Sequence, residues 1–164
     1  MGRRSVKENK SIYQQTREDL GLTREKAAEL VPGFSPERLE KVENGRVQIQ
    51  PEDVMLLAEY YKAPFLCNYY CVNECPIGRV HALRSEPKEF AQIAVETLNA
   101  LNQMNKNRDR FLEIVEDGRV RPDEYHDFVE IKQVLDRIAL SVSNLQLWVN
   151  EQIAEGKLKN PNEG

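Results

Sequence analysis

Cys67, Cys71, Cys75 and His81 are the residues of this chain whose types and spacing come closest to a reactive centre, in the run CNYYCVNECPIGRVH. If a helix extends to about Cys71, Cys67 and Cys71 share one face, and Cys75 folds back toward them from the turn at Pro76 and Gly78. Thiolates so placed can hold zinc tetrahedrally with His81 as fourth ligand. A cysteine directly before proline also occurs in iron–sulfur ligation. Zinc sites, however, favour two intervening residues and need a second pair, which is missing here. The expectation is therefore three reduced, inert thiols and no cofactor; zinc or an iron–sulfur group, and with it a thiol- or metal-sensing regulator, is the alternative. His126 stands beside Asp123, Glu124 and Asp127 as a solvated surface group. The sequence has no glycine-rich phosphate loop, nucleophile elbow or His-Glu-x-x-His arrangement, so an enzyme is not expected.

The elements around these residues are helical. In LTREKAAELVPGFSPERLEKVENG (residues 22–45), Thr23 can cap a helix whose Ala27, Ala28 and Leu30 face inward, and Pro32-Gly33 breaks it. Ser35 followed by Pro36 opens a second short helix: the hydroxyl accepts an early backbone N–H, and proline at the first position gives up nothing by lacking its own. Leu39 and Val42 form its buried stripe, and Gly45 can take the left-handed conformation that ends it.

Two short helices joined by a tight turn make a DNA-reading shape, and over roughly residues 11–70 the chain resembles the Cro/cI-type (XRE) helix-turn-helix of phage repressors and bacterial regulators. The anchors are Gly21-Leu22-Thr23, Ala28, Ser35, Leu39 and Glu43-Asn44-Gly45, in order and at matching spacing. The turn is one residue longer than usual, and Ala27 replaces a larger aliphatic. The resemblance implies a five-helix lambda-repressor-like domain in residues 1–71, with Pro51 to Tyr61 as fourth helix and Pro64 to Cys71 as fifth. It also implies double-stranded DNA as partner and a role as transcriptional regulator or repressor. By motif position Glu37, Arg38, Glu40, Lys41 and Asn44 face base edges, while Arg24, Lys26 and Arg46 approach phosphates. Arg38 or Lys41 can donate to guanine, Asn44 can bond adenine, and Glu37 or Glu40 can only accept, most readily from cytosine.

Charge fits that reading poorly. Residues 1–66 hold eleven Lys/Arg and eleven Asp/Glu, so the net −4 falls on the remaining 98 residues. DNA-binding proteins usually carry a basic face, because counterion release supplies much of their affinity. Only a local stripe is available, from Arg3, Arg4, Lys7 and Lys10 before the first helix and the three phosphate candidates. Glu37 and Lys41 also lie four apart in the favourable order for a surface ion pair. An adaptor whose helix-turn-helix face binds protein is the competing class.

After a linker expected over 72–84, the chain reads as two long helices in 85–156 and a flexible tail over 157–164. Ser85 can cap the first, along which Phe90, Ala94, Leu98, Leu101, Leu112 and Val115 recur at helical steps around Asn105 and Arg108. The second starts near Pro122. Its stripe of Ile131, Leu135, Ile138, Val142, Leu145 and Val149 alternates steps of four and three, as in a coiled-coil seam. The short DGRVR connection makes the pair an antiparallel hairpin, which cannot cover its own apolar surface. Trp148, Leu140 and Leu147 add to that surface, and self-association into a four-helix bundle, a homodimer, is the expected solution; folding back on the helix-turn-helix within one chain is the alternative. An all-α fold thus accommodates the hydrophobic share of 40%. No apolar run approaches the ~20 residues of a membrane span, and the polar start lacks a signal core, so a cytoplasmic location is expected.

Overall fold

The computed structural model describes residues 10–160, and all regular structure among them is helical. The helices are α1 (Ile12–Asp19), α2 (Arg24–Leu30), α3 (Pro36–Glu43), α4 (Pro51–Tyr60), α5 (Phe65–Asn73), α6 (Gly78–His81), α7 (Phe90–Val115) and α8 (Tyr125–Ala154). Two compact units result. One is built from residues up to Arg84 together with those from Asn150 on, the other from Ser85–Val149. Arg3, Arg4 and Lys7, counted above toward a basic stripe, lie outside the described residues, as does the end of the tail beyond residue 160.

The first unit starts its helices as the caps require. The Ser11, Thr23 and Ser35 hydroxyls accept from the backbone N–H of Gln14, Lys26 and Arg38 at 3.2, 3.3 and 3.2 Å. Each bond satisfies a donor that the first helical turn leaves without a partner. Gly45 follows α3 with φ +67°, a conformation that a Cβ would disfavour. The core gathers Ala27, Val31, Leu39, Val54, Leu57 and Leu66, all 0–1% exposed. Leu30 departs from expectation: Ala27 and Val31, four apart, point into the core, and Leu30, one step round the helix, is 42% exposed.

Residues 72–84 do not act as an open linker. α5 continues to Asn73, and the short α6 packs back on it where Gly78 meets the Cys71 backbone, so closely that any side chain would collide with the Cys71 carbonyl. Glycine at 78 is what permits that approach.

In the second unit α7 and α8 are 26 and 30 residues long, or ~39 and ~45 Å at 1.5 Å per residue. Their starts differ from expectation. Ser85 does not cap α7, which begins only at Phe90; Pro87 holds the residue before it out of the helical region. The Ser85 hydroxyl instead shares a 2.5 Å hydrogen bond with that of Ser143, and the Glu86 backbone N–H donates to Asn144 Oδ1 at 3.2 Å. The extended segment is thereby strapped along α8. α8 begins at Tyr125, because the buried Glu124 carboxylate accepts from the Arg121 N–H at 3.0 Å and closes a turn over 122–124.

The apolar seam also differs. The inner face of α7 is Ile93, Ala100 and Ile114, and that of α8 is Ile131, Val134, Ser141, Asn144 and Leu147. From the expected stripes, Ile131 is buried and Ile138, Leu145 and Val149 are half-buried. Leu135 and Val142 are 40% and 46% exposed, and Leu98, Leu101 and Leu112 are 60%, 43% and 54% exposed. Each helix carries two neighbouring apolar stripes. The one with Ala100 and Ser141 turns inward. On both helices the second stripe lies about 130° from the first, centre to centre and in the same rotational sense, at 100° per residue. In an antiparallel pair, equal rotation brings both stripes to the same side. The hairpin therefore has one apolar outer face, with Leu98, Leu101 and Leu112 beside Leu135 and Val142.

Candidate nucleic-acid interface

α3 turns Leu39, Val42 and Glu43 inward, so Glu37, Glu40, Lys41 and Asn44 form its outward row. Glu43 is the unusual member of the inner set, a carboxylate with 1% side-chain exposure. Arg17 of α1 grips it with both arms, Nε donating to Oε1 at 2.5 Å and Nη2 to Oε2 at 3.0 Å. Arg24 of α2 donates to Oε2 at 2.8 Å. The remaining Arg17 nitrogen, Nη1, donates to the Leu22 carbonyl at 2.6 Å. Burial alone would lower the Arg17 pKa, but the hydrogen bonds and charge of Glu43 reverse this and raise it. One carboxylate of α3 thus ties that helix to both α1 and α2.

Tyr61 sits next to this network, 2% exposed, and its hydroxyl has no hydrogen-bond partner among the described residues. Burial, aided by the negative charge of Glu43, pushes its pKa up to about 12. An unfolded tyrosine ionises near 10. With the folded value raised, the stabilisation is whole below about pH 10 and is lost as pH climbs toward the folded value. This group alone should remove ~2 kcal/mol of stability between pH 10 and 12. Tyr61→Phe should lack that component and, freed of an unsatisfied buried hydroxyl, be ~1 kcal/mol more stable at pH 7. Urea unfolding of both proteins at neutral and alkaline pH checks this, and identical pH slopes would refute it.

The expected DNA contacts do not form one group. Arg38 lies at the flank of the outward row: Nη2 donates to Asp53 Oδ2 of α4 at 2.7 Å, Nη1 donates to the Gly33 carbonyl at 2.9 Å, and the guanidinium rests 4.9 Å from the Phe34 ring centroid. Arg24, expected at a phosphate, is engaged with Glu43. Arg46 Nη1 donates to Glu40 Oε1 at 3.4 Å across exposed surface, a pair of small energetic weight. Asn44 Nδ2 donates to the Glu40 carbonyl at 2.8 Å. Lys26 and Lys41 are exposed and hold no ion pair among the described residues. Glu37 is exposed too, and the Ser35 hydroxyl holds its carboxyl below the usual carboxylate range. Sequence reasoning passed over Arg17 and Asp53, and used Glu43 and Tyr61 only as a motif anchor and a helix end. One signal was present: Leu39, Val42 and Glu43 follow steps of three and one on one helix face, and a carboxylate on a buried face requires a buried cation.

Cys67 and Cys75 are half-buried, and Cys71 is exposed. Burial, with Cys71 close by, pushes the Cys67 thiol up, away from the reactive thiolate. The Gly78 N–H points at Cys75 Sγ, 3.4 Å away. Among the described residues no cluster of three or more cysteine, histidine or acidic side chains could hold a metal, and His81 does not join the thiols. His126, 82% exposed, lies 3.8 Å from both Asp127 and Glu130.

Caps, turn and crossing helices define a helix-turn-helix domain. Residues 14–64 match the family model described as a helix-turn-helix domain, so the first unit carries a module of the kind that binds DNA. No curated protein and no solved structure matches the chain. No described helix is long and apolar enough to cross a membrane.

Proposed function

We propose that the chain is a transcriptional regulator of the Cro/cI type that binds double-stranded DNA in a sequence-specific manner as a homodimer, repression being the simplest outcome, and that it is not an enzyme. The observation that carries the reading is the fixed outward row of α3, held by the Glu43 network with Glu37, Glu40, Lys41 and Asn44 presented together. Lys41 is the principal donor to a base edge, Asn44 and the two glutamates complete the row, and Lys26 and Arg46 contact phosphates. Arg38 and Arg24 keep the helices in place and contribute to binding through that role. The open apolar side of the hairpin supplies the surface for a second copy, which brings two reading helices to two half-sites.

Selection of the full chain against randomised duplex DNA, followed by titration at several salt concentrations, tests this. A consensus with two-fold symmetry and affinity falling with salt is expected. Lys41→Ala should cost ~1–3 kcal/mol on the selected site and relax one base pair. Enrichment of no sequence, or binding without salt dependence, would overturn the reading. The second reading is an adaptor that binds protein through α3. It is favoured by one observation: of the basic residues near the row, Arg24 and Arg38 are paired internally while Glu37 stays exposed, which leaves that face less basic than DNA binding usually requires.

A further inference from the structure

The side of the hairpin opposite its apolar face is polar and grooved. Two hollows of about 260 and 300 Å³ lie between α7 and α8 and meet at Gln103 and Arg137, which line both. Their combined space falls at the small end of ligand-binding pockets, which begin near ~300 Å³. The floor is apolar and firm: Ala100 and Val134 are 4% and 3% exposed, with Leu140 beside them. The rim carries two cations, Arg137 and Lys106, that hold no ion pair among the described residues.

Of the two acids at the ends of the groove, one is neutralised by an ion pair and the other is exposed at the far end, so two cations face one free carboxylate. Glu96 is occupied by Lys88 Nζ, which donates to both its oxygens at 3.1 and 2.9 Å, and by Gln92. Glu130, at the far end, stands 3.8 Å from His126. The donors facing the centre are therefore a planar guanidinium, an ammonium and the carboxamide of Gln103. Backbone N–H groups are spent inside the helices, so the nest of amides that a phosphate usually finds is missing here. A fork of two guanidinium N–H groups matches a carboxylate.

We propose that this groove binds a small organic carboxylate, its charged group on Arg137 and Lys106 and its apolar body over Ala100, Val134 and Leu140. The site lies wholly within the second unit and is independent of whether the first unit binds DNA.

Fluorine NMR titration of the full chain with 4-fluorobenzoate tests it, with 4-fluorobenzamide as the uncharged isostere. Saturable binding near ~1 mM is expected, as suits a fragment with few contacts. The amide should bind roughly tenfold more weakly, and Arg137→Met should lose roughly tenfold toward the carboxylate. Arg137→Lys, which keeps the charge and loses the fork, should fall between. Arg137 is exposed, so unchanged helical circular dichroism is expected for both variants and makes a folding explanation visible. No saturation at about 20 mM, equal binding of acid and amide, or undiminished binding by Arg137→Met would each overturn the proposal.

Discussion

Replacing Glu43 with alanine is expected to remove ~3–5 kcal/mol of folding stability, a large part of what a domain of this size possesses. The loss comes from what remains. Arg17 keeps 6% side-chain exposure, its Nε and Nη2 lose their acceptors, and no other carboxylate takes the place of Glu43. The nearest, Glu18, is 3.9 Å from Arg17 and already holds Lys10. Urea unfolding of the full chain, followed by circular dichroism, reads the effect. The paired replacement Glu43→Leu with Arg17→Met should recover most of it, because removing both charges removes the desolvation cost as well as the attraction. A loss below ~1 kcal/mol for Glu43→Ala would show that the network is not what holds α1, α2 and α3 together.

The second large effect concerns the hairpin. Leu98→Asp with Leu135→Asp places two carboxylates on the apolar outer face, where the wild-type side chains are 60% and 40% exposed within one chain. Because those positions are open in the monomer, the variant should fold with unchanged helix content, and its association should fail. On a two-half-site DNA, affinity should fall ~100-fold or more, since one reading helix no longer raises the effective concentration of the other. Sedimentation and DNA titration of both proteins report this. Ile138 and Leu145, half-buried in the same seam, are poorer sites for the experiment, since a charge there also strains the monomer. A wild-type chain that sediments as a monomer at micromolar concentration, or a monomeric variant with unchanged affinity, would refute the proposal.

Much of this was legible in the residues. Ser35, Pro36 and Gly45 mark the ends of α3 through local chemistry, and local chemistry survives into the fold. Which side of a long helix turns inward is not local. On α7, Leu98, Leu101 and Leu112 form as regular a stripe as Ile93, Ala100 and Ile114, and only the packing against α8 selects between them. The roles of Arg24 and Arg38 were hidden for a related reason. Their positions are those the family resemblance assigns to DNA contacts, but partners 19 and 15 residues away, Glu43 and Asp53, take them up, and no spacing rule links such pairs. Residues 72–84 have the proline and glycine of a linker, yet Gly78 is there for close packing on Cys71.

The two-sided hairpin constrains how any signal could travel through it. A second copy on the Leu98 and Leu135 side and a small molecule on the Arg137 side, as proposed above, would touch different atoms, so neither would evict the other by occupying its place. Coupling between them must run through the spacing of α7 and α8. A molecule seated in the groove could shift assembly only to the extent that it favours one interhelical distance over another. By reciprocity, the assembled form would then hold that molecule more or less tightly by the same factor.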